Sequence, residues 1–412
     1  MAHAAVWRVG PTRTYTNIQA AISVAVDGDL ILVDAGSYPG FVLPNKGVSV
    51  LSATATPFTV QPRSTAPVVI IVGLQAGKSA TVMGFNTTVA YGGASPVLIL
   101  GCPGSVRIKD AVITPTTNLP NANMRSVIEI GSAASVWLSD VKVTSATPFS
   151  GTTLNSLNAP GGPDQGISAV VADNSNVQIQ RSILRGYDNL GTPSTGRYAG
   201  DALRLIGASV ARIDDAPTQL TGGTGGQFGG SAIHAIGTPA STDVLANGVP
   251  VNAYVKGGGP SPGGYFAVNW DRGIVQQGQV TFERFIPVGL VSAFGAVLTA
   301  NRMKLNTTHN VTVASFFGRN YFLYIGPTLF RSVVIPGAQH TAYLDYTSPS
   351  TILAASGVLP AGNPVVNLPI PIPNVPSAAG VQLGVQAVLG PPTGQTIPAL
   401  SFTLGEPLVV VP

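Results

Sequence analysis

Apolar and polar positions change their period early in the chain. In "TNIQAAISVAVDGDLILVDAGSYPG" (16–40), Ile18, Ala21, Ile22 and Ala25 recur at helical spacing. A Gly-Asp break then leads into the apolar run Leu30-Ile31-Leu32-Val33 and a Gly-Ser-Tyr-Pro-Gly turn. The pattern predicts a short amphipathic helix over 17–26, followed by strands. Further short apolar runs at 30–33, 48–51, 68–72, 80–85 and 97–100 are separated by turn residues, which predicts an all-β chain.

From residue 105 the pattern repeats. "SVRIKDAVIT" (105–114), "SVWLSDVKVT" (135–144), "NVQIQRSILR" (176–185) and "SVARIDDAPT" (209–218) align, each opening on a small polar residue and Val. The alignment stacks Asp110, Asp140, Arg181 and Asp214 in one column. Ahead of these segments lie "SVIEIG" (126–131), "GISAVVAD" (166–173) and "DALRLIG" (201–207), and "SAIHAIG" (231–237) opens a further coil. Two or three short strands per coil, with insertions at one corner, predict a solenoid whose inward Val, Ile and Leu stack and whose outward positions meet solvent. The expected form is a right-handed parallel β-helix over 1–255, with the helix at 17–26 covering its N-terminal end. After about residue 245 the repeat fades. "KGGGPSPGGYF" (256–266) reads as punctuation, 256–315 as a connecting β-rich region, and 316–412 as a C-terminal antiparallel β-sandwich.

The stretch "IQAAISVAVDGDLILVDAGSYPG" resembles the N-terminal coil of the pectate lyase and pectin methylesterase-like β-helix superfamily, and the resemblance extends loosely over 15–245. The tail, from "IPIPNVPSAAGVQLGVQAVLG" to "LSFTLGEPLVVV", is similar to the C-terminal β-domain of large secreted bacterial surface proteins. The first resemblance implies a fold more strongly than an activity. Its lyases hold calcium with carboxylates and abstract a proton with Arg or Lys; its hydrolases use paired carboxylates; its esterases use two aspartates and an arginine. All place these groups on outward positions of neighbouring coils.

Aligning the upstream strands puts Glu129, Arg204 and His234 at equivalent outward positions, with Ser168 or Val170 in the intervening coil. A carboxylate, a guanidinium and an imidazole on one face are the candidate catalytic set for binding an acidic sugar and moving a proton. The corner loops 145–165 and 186–200 would add Asp164, Asp188, Arg197, Tyr198 and Asp201 as a binding wall. The bland reading stands beside it: outward positions of a solenoid are commonly polar. Asp or Arg at the 110/140/181/214 column would then end strands at a corner. That column would offer calcium at most a weak site, so no metal site and no cofactor is expected.

Composition narrows the partners. Only 9% of residues are charged, the net charge is +4, and the basic residues form no run of the kind that tracks phosphates, which excludes nucleic acid as the expected partner. A single cysteine, Cys102, excludes an intrachain disulfide framework and reads as a small buried residue. No apolar run reaches the length of a membrane-spanning helix, and Ala2-His3-Ala4 is like the end of a trimmed secretory signal. The partner is then the chain itself or an extracellular polysaccharide. The leading expectation is a secreted, non-catalytic β-helix protein of the cell surface or extracellular matrix, structural, adhesive or self-assembling. The alternative is a lyase or glycoside hydrolase of an acidic polysaccharide.

Overall fold

The structure is a computed structural model that describes residues 5–61, 67–89, 95–115, 126–144, 167–187, 199–214, 218–223, 232–236, 242–247, 255–256, 274–277, 281–285, 295–299, 302–315, 319–334, 338–339, 341–360, 365–375, 382–390, 400–402 and 406–411. The chain divides into two compact units, one of residues 7–27 and 31–285, the other of 1–6, 28–30 and 286–412.

The larger unit is built from parallel strands in three ladders, an arrangement compatible with a β-helix. The first ladder runs through Phe41–Pro44, Val69–Val72, 97–100, 128–131, Ser168–Asp173, Leu203–Ile206, Ile233–Ile236 and Ile274–Gln277. The second runs through Ser49–Ser52, 79–83, 105–109, 135–139, Asn176–Gln180, Ser209–Asp214, Thr242–Asn247 and Thr281–Phe285. The third joins Ser37–Tyr38, Phe58–Val60, 85–89, 111–115, 141–143, Ile183–Arg185, Gln219–Thr221 and Val255–Lys256. Strands from 255–285 therefore belong to the parallel sheet.

Left-handed residues turn the corners. Asn45, Gly73, Gly101, Ser132, Asn174 and Gly207 each follow a first-ladder strand with φ between 47° and 68°. Gly84, Asp110, Asp140 and Arg181 do the same after second-ladder strands, with φ between 43° and 74°. Gly adopts this conformation freely, and Asn and Asp tolerate it better than other residues. The aspartates of the repeat are thus corner residues. The fourth member of the expected column is displaced: Asp214 pairs with Gln180, because Asn176 lies opposite Val210.

Inward side chains form one continuous core. Leu43, Ile71, Ile99, Ile130, Ala172 and Leu205 stack in register along the first ladder, and Val50, Val82, Ile108, Leu138, Ile179 and Ile213 along the second, all fully buried. Each such valine, leucine or isoleucine is worth roughly 1.5–3 kcal/mol of burial, so the core dominates the fold's energetics. Phe58 stacks on Phe85 with ring centroids 6.2 Å apart. Cys102 is buried, its thiol donates to the carbonyls of Leu100 and Ile71, and burial raises its pKa.

The helix Ile18–Val24 lies where the sequence predicts it and buries Ile18, Ala21 and Ile22. Asn17 caps it, its side chain accepting from the Ala20 amide at 2.8 Å, and the Lys46 ammonium donates to the carbonyls of Ile22, Ser23 and Ala25 at its other end.

The outward positions of the second ladder differ from expectation. Thr81, Met83, Arg107, Lys109, Trp137, Ser139, Gln178 and Gln180 are all buried instead of facing solvent. The Arg107 guanidinium sits 5.4 Å from the Trp137 ring centroid, and burial pushes it down to about 10.

The smaller unit is mainly antiparallel. Gly295–Thr299, Thr307–Ser315 and Val365–Ile372 form one sheet. A second sheet orders Arg302–Lys304, Glu406–Val411, Gln382–Leu389, Arg319–Gly326 and Ile352–Leu359. Its core holds Val311, Val313, Leu323, Leu359, Val385, Ala387 and Leu389. Among the described residues of the chain, no helix is long and apolar enough to cross a membrane.

Candidate functional site

Glu129, Arg204 and His234 do share one register position of the first ladder. Glu129 lies opposite Val171, Val171 opposite Arg204, and Arg204 opposite His234. The intervening residue is therefore Val171 and not Ser168 or Val170. Val171, Arg204 and His234 are buried, and Glu129 is half-buried.

The three expected catalytic residues separate into two groups. Two strand spacings part Glu129 from Arg204 and three part it from His234, about 10 and 14 Å along the ladder. Buried Val171 fills the gap. Each group is held by the same relationship across one coil. Ser95, two residues ahead of first-ladder Val97, donates from Oγ to Glu129 Oε2 at 3.0 Å. Asp201, two residues ahead of Leu203, holds His234 through Oδ2 and Nδ1 at 3.0 Å. A carboxylate accepts only, so in the neutral form of the imidazole the proton sits on Nδ1 and Nε2 keeps its lone pair. Nε2 is buried and makes no hydrogen bond among the described residues, as is Oγ of Ser168. An imidazole oriented by a carboxylate, beside a guanidinium on the next rung, can accept a proton at Nε2.

Backbone packing places Asp201. At the corner leading into the first ladder, the Gly200 amide donates to the Tyr187 carbonyl at 2.9 Å and the Gly223 amide to the Gly200 carbonyl at 2.8 Å. A Cβ on Gly186, Gly200 or Gly223 would run into the carbonyl oxygen of Gly200, Ile167 or Tyr187 respectively. Three coils interlock there, and Asp201 follows directly. Burial raises the Tyr187 phenol.

Of the expected binding wall, Asp201 is thus a partner of His234. Asp164, Asp188, Arg197 and Tyr198 lie outside the described residues. The second ladder carries a polar cluster that alternation in the sequence does not reveal. Arg181 clasps Asp140 through Nε and Nη2, both at 2.9 Å, and Lys109 Nζ lies 3.7 Å from Asp140. Burial by itself would raise the Asp140 carboxyl, but Arg181 and Lys109 outweigh it and hold it below the usual carboxylate range. Among the described residues, no three His, Cys, Asp or Glu side chains gather where they could hold a metal ion. Comparison with protein-family models, curated proteins and solved structures finds no match to the chain.

Proposed function

We propose that residues 7–285 form a right-handed parallel β-helix of the pectate lyase and pectin methylesterase-like kind. On this reading the protein is secreted and non-catalytic, and serves the cell surface or extracellular matrix as a structural, adhesive or self-assembling subunit. The observation that carries the reading is how the polar residues of the ladders are used: Glu129 is bonded by Ser95, His234 by Asp201 and Asp140 by Arg181, rung to rung, with Val171 between the first two groups. Such contacts tie coil to coil. The sparse charge supports it too, since 9% charged residues offer little repulsion between packed copies. Electron microscopy of the purified protein across a concentration series tests the reading; filaments or sheets are expected.

One observation favours a second reading. His234 Nε2 is buried, makes no hydrogen bond among the described residues, and stands one rung from Arg204. In a polysaccharide lyase or glycoside hydrolase these two, with Glu129, would move the proton and bind an acidic sugar. Turnover of a panel of acidic and neutral polysaccharides, with and without calcium, separates the two readings.

A further inference from the structure

The strand Ile352–Leu359 ends its sheet. It pairs antiparallel with Arg319–Gly326 from Ile325↔Ile352 to Arg319↔Leu359, and among the described residues its other edge has no strand beside it. Its sequence, ILAASGVL, contains no charged residue and no proline. Ile352, Leu353 and Val358 are 58%, 51% and 68% exposed, and Phe322 on the neighbouring strand is 40% exposed. Edge strands are ordinarily kept apart by charge, proline, shortness or a bulge. Here one such device is present: Ala354 is a bulge between Leu323↔Ala355 and Tyr324↔Leu353. Residues 355–359 beyond it keep regular pairing.

We propose that this edge is the contact through which one copy of the chain joins another, strand 352–359 against strand 352–359 in antiparallel pairing across a two-fold axis. The inference rests on the self-assembling reading above and names one of its surfaces; a two-fold contact closes as a pair, so filaments or sheets require a second contact besides it. An open strand edge presents backbone N–H and C=O groups that only another extended segment satisfies in a row. A charged partner strand would find no opposite charge along ILAASGVL. The same strand of a second copy is equally uncharged, returns the same row of donors and acceptors, and covers the exposed Ile352, Leu353 and Val358.

The test is sedimentation velocity of the full chain over a concentration series, with Val358→Lys and Ser356→Lys beside the unmodified protein. Both positions are exposed, Ser356 is already polar, and thermal melting of each variant verifies its fold. Each lysine puts a charge into a contact whose facing strand, ILAASGVL, offers no opposite charge to pair with it, so association is expected to weaken about tenfold or more while melting is unchanged. Variants that melt and associate like the unmodified protein would overturn this contact and leave the self-assembling reading standing. An unmodified protein that stays monomeric throughout would overturn both.

Discussion

Gln19 completes the open edge of the first ladder through a single residue, Val42. Its Oε1 accepts the Val42 amide at 2.8 Å and its Nε2 donates to the Val42 carbonyl at 3.3 Å, so one side chain does for this strand what a neighbouring strand would do. The helix therefore caps the ladder with hydrogen bonds as well as with its apolar face. Gln19→Ala removes both bonds and leaves a partly buried amide and carbonyl, a loss of about 1–3 kcal/mol. Equilibrium denaturation of the variant should show it, with hydrogen exchange at Val42 accelerated; unchanged protection at Val42 would contradict the capping role.

Arg181 has φ of 43°, a conformation that side chains with a Cβ seldom hold, and its clasp on Asp140 offsets the strain. Arg181→Ala loses the clasp and keeps the strain, whereas Arg181→Gly loses the clasp alone. The glycine variant is therefore expected to be the more stable by about 1 kcal/mol. Thermal or denaturant melts that rank alanine above glycine would count against a strained corner.

The same pair sets a pH dependence. Asp140 titrates below its unfolded value, so its contribution is fully present above about pH 4 and is lost as the pH falls through the lower folded value. Between about pH 5 and pH 2 the unmodified protein should lose stability more steeply than Asp140→Asn. Parallel acid-unfolding curves would show that Asp140 carries no such linkage.

Gly200→Ala drives a Cβ into the Ile167 carbonyl at the corner ahead of Asp201. Backbone on both sides leaves no flexible group to give way, so a loss of more than about 3 kcal/mol is expected from the melt. A variant as stable as the parent would mean that the three coils are not interlocked at this corner.

Much of this was legible in the sequence, for definite reasons. Ile18, Ala21, Ile22 and Ala25 announced the capping helix because one buried face enforces a 3.6 period. The inward Val, Ile and Leu of "SVRIKD" and "SVWLSD" announced stacked strands because every coil meets the same core. The register at Ser209 was not legible. Matching a small polar residue plus Val aligned Asn176-Val177 with Ser209-Val210, but the corner hydroxyl decides the stack: the Ser175 amide donates to Ser209 Oγ, one residue earlier. A cue based on type alone does not see that bond. The sequence did bring Glu129, Arg204 and His234 to one ladder position, since a fixed strand period preserves it. It missed the Asp201–His234 pair as a unit, because Asp201 precedes its strand and the bond crosses a coil.

The two functional readings diverge at Arg204 and His234. A scaffold should still assemble when both are changed to neutral residues, Arg204→Gln and His234→Asn, although losing the His234–Asp201 contact lowers its melting temperature. An enzyme would lose its turnover by a factor of about a hundred or more at temperatures where the variant is still folded. A cleaved polysaccharide whose breakdown vanishes in the pair would favour the enzyme.

The central claim, that this chain is a building unit, is tested most directly by negative-stain electron microscopy of the unmodified protein as its concentration rises. Ordered filaments or sheets are the predicted result. Separate, unassociated particles at every concentration would contradict it.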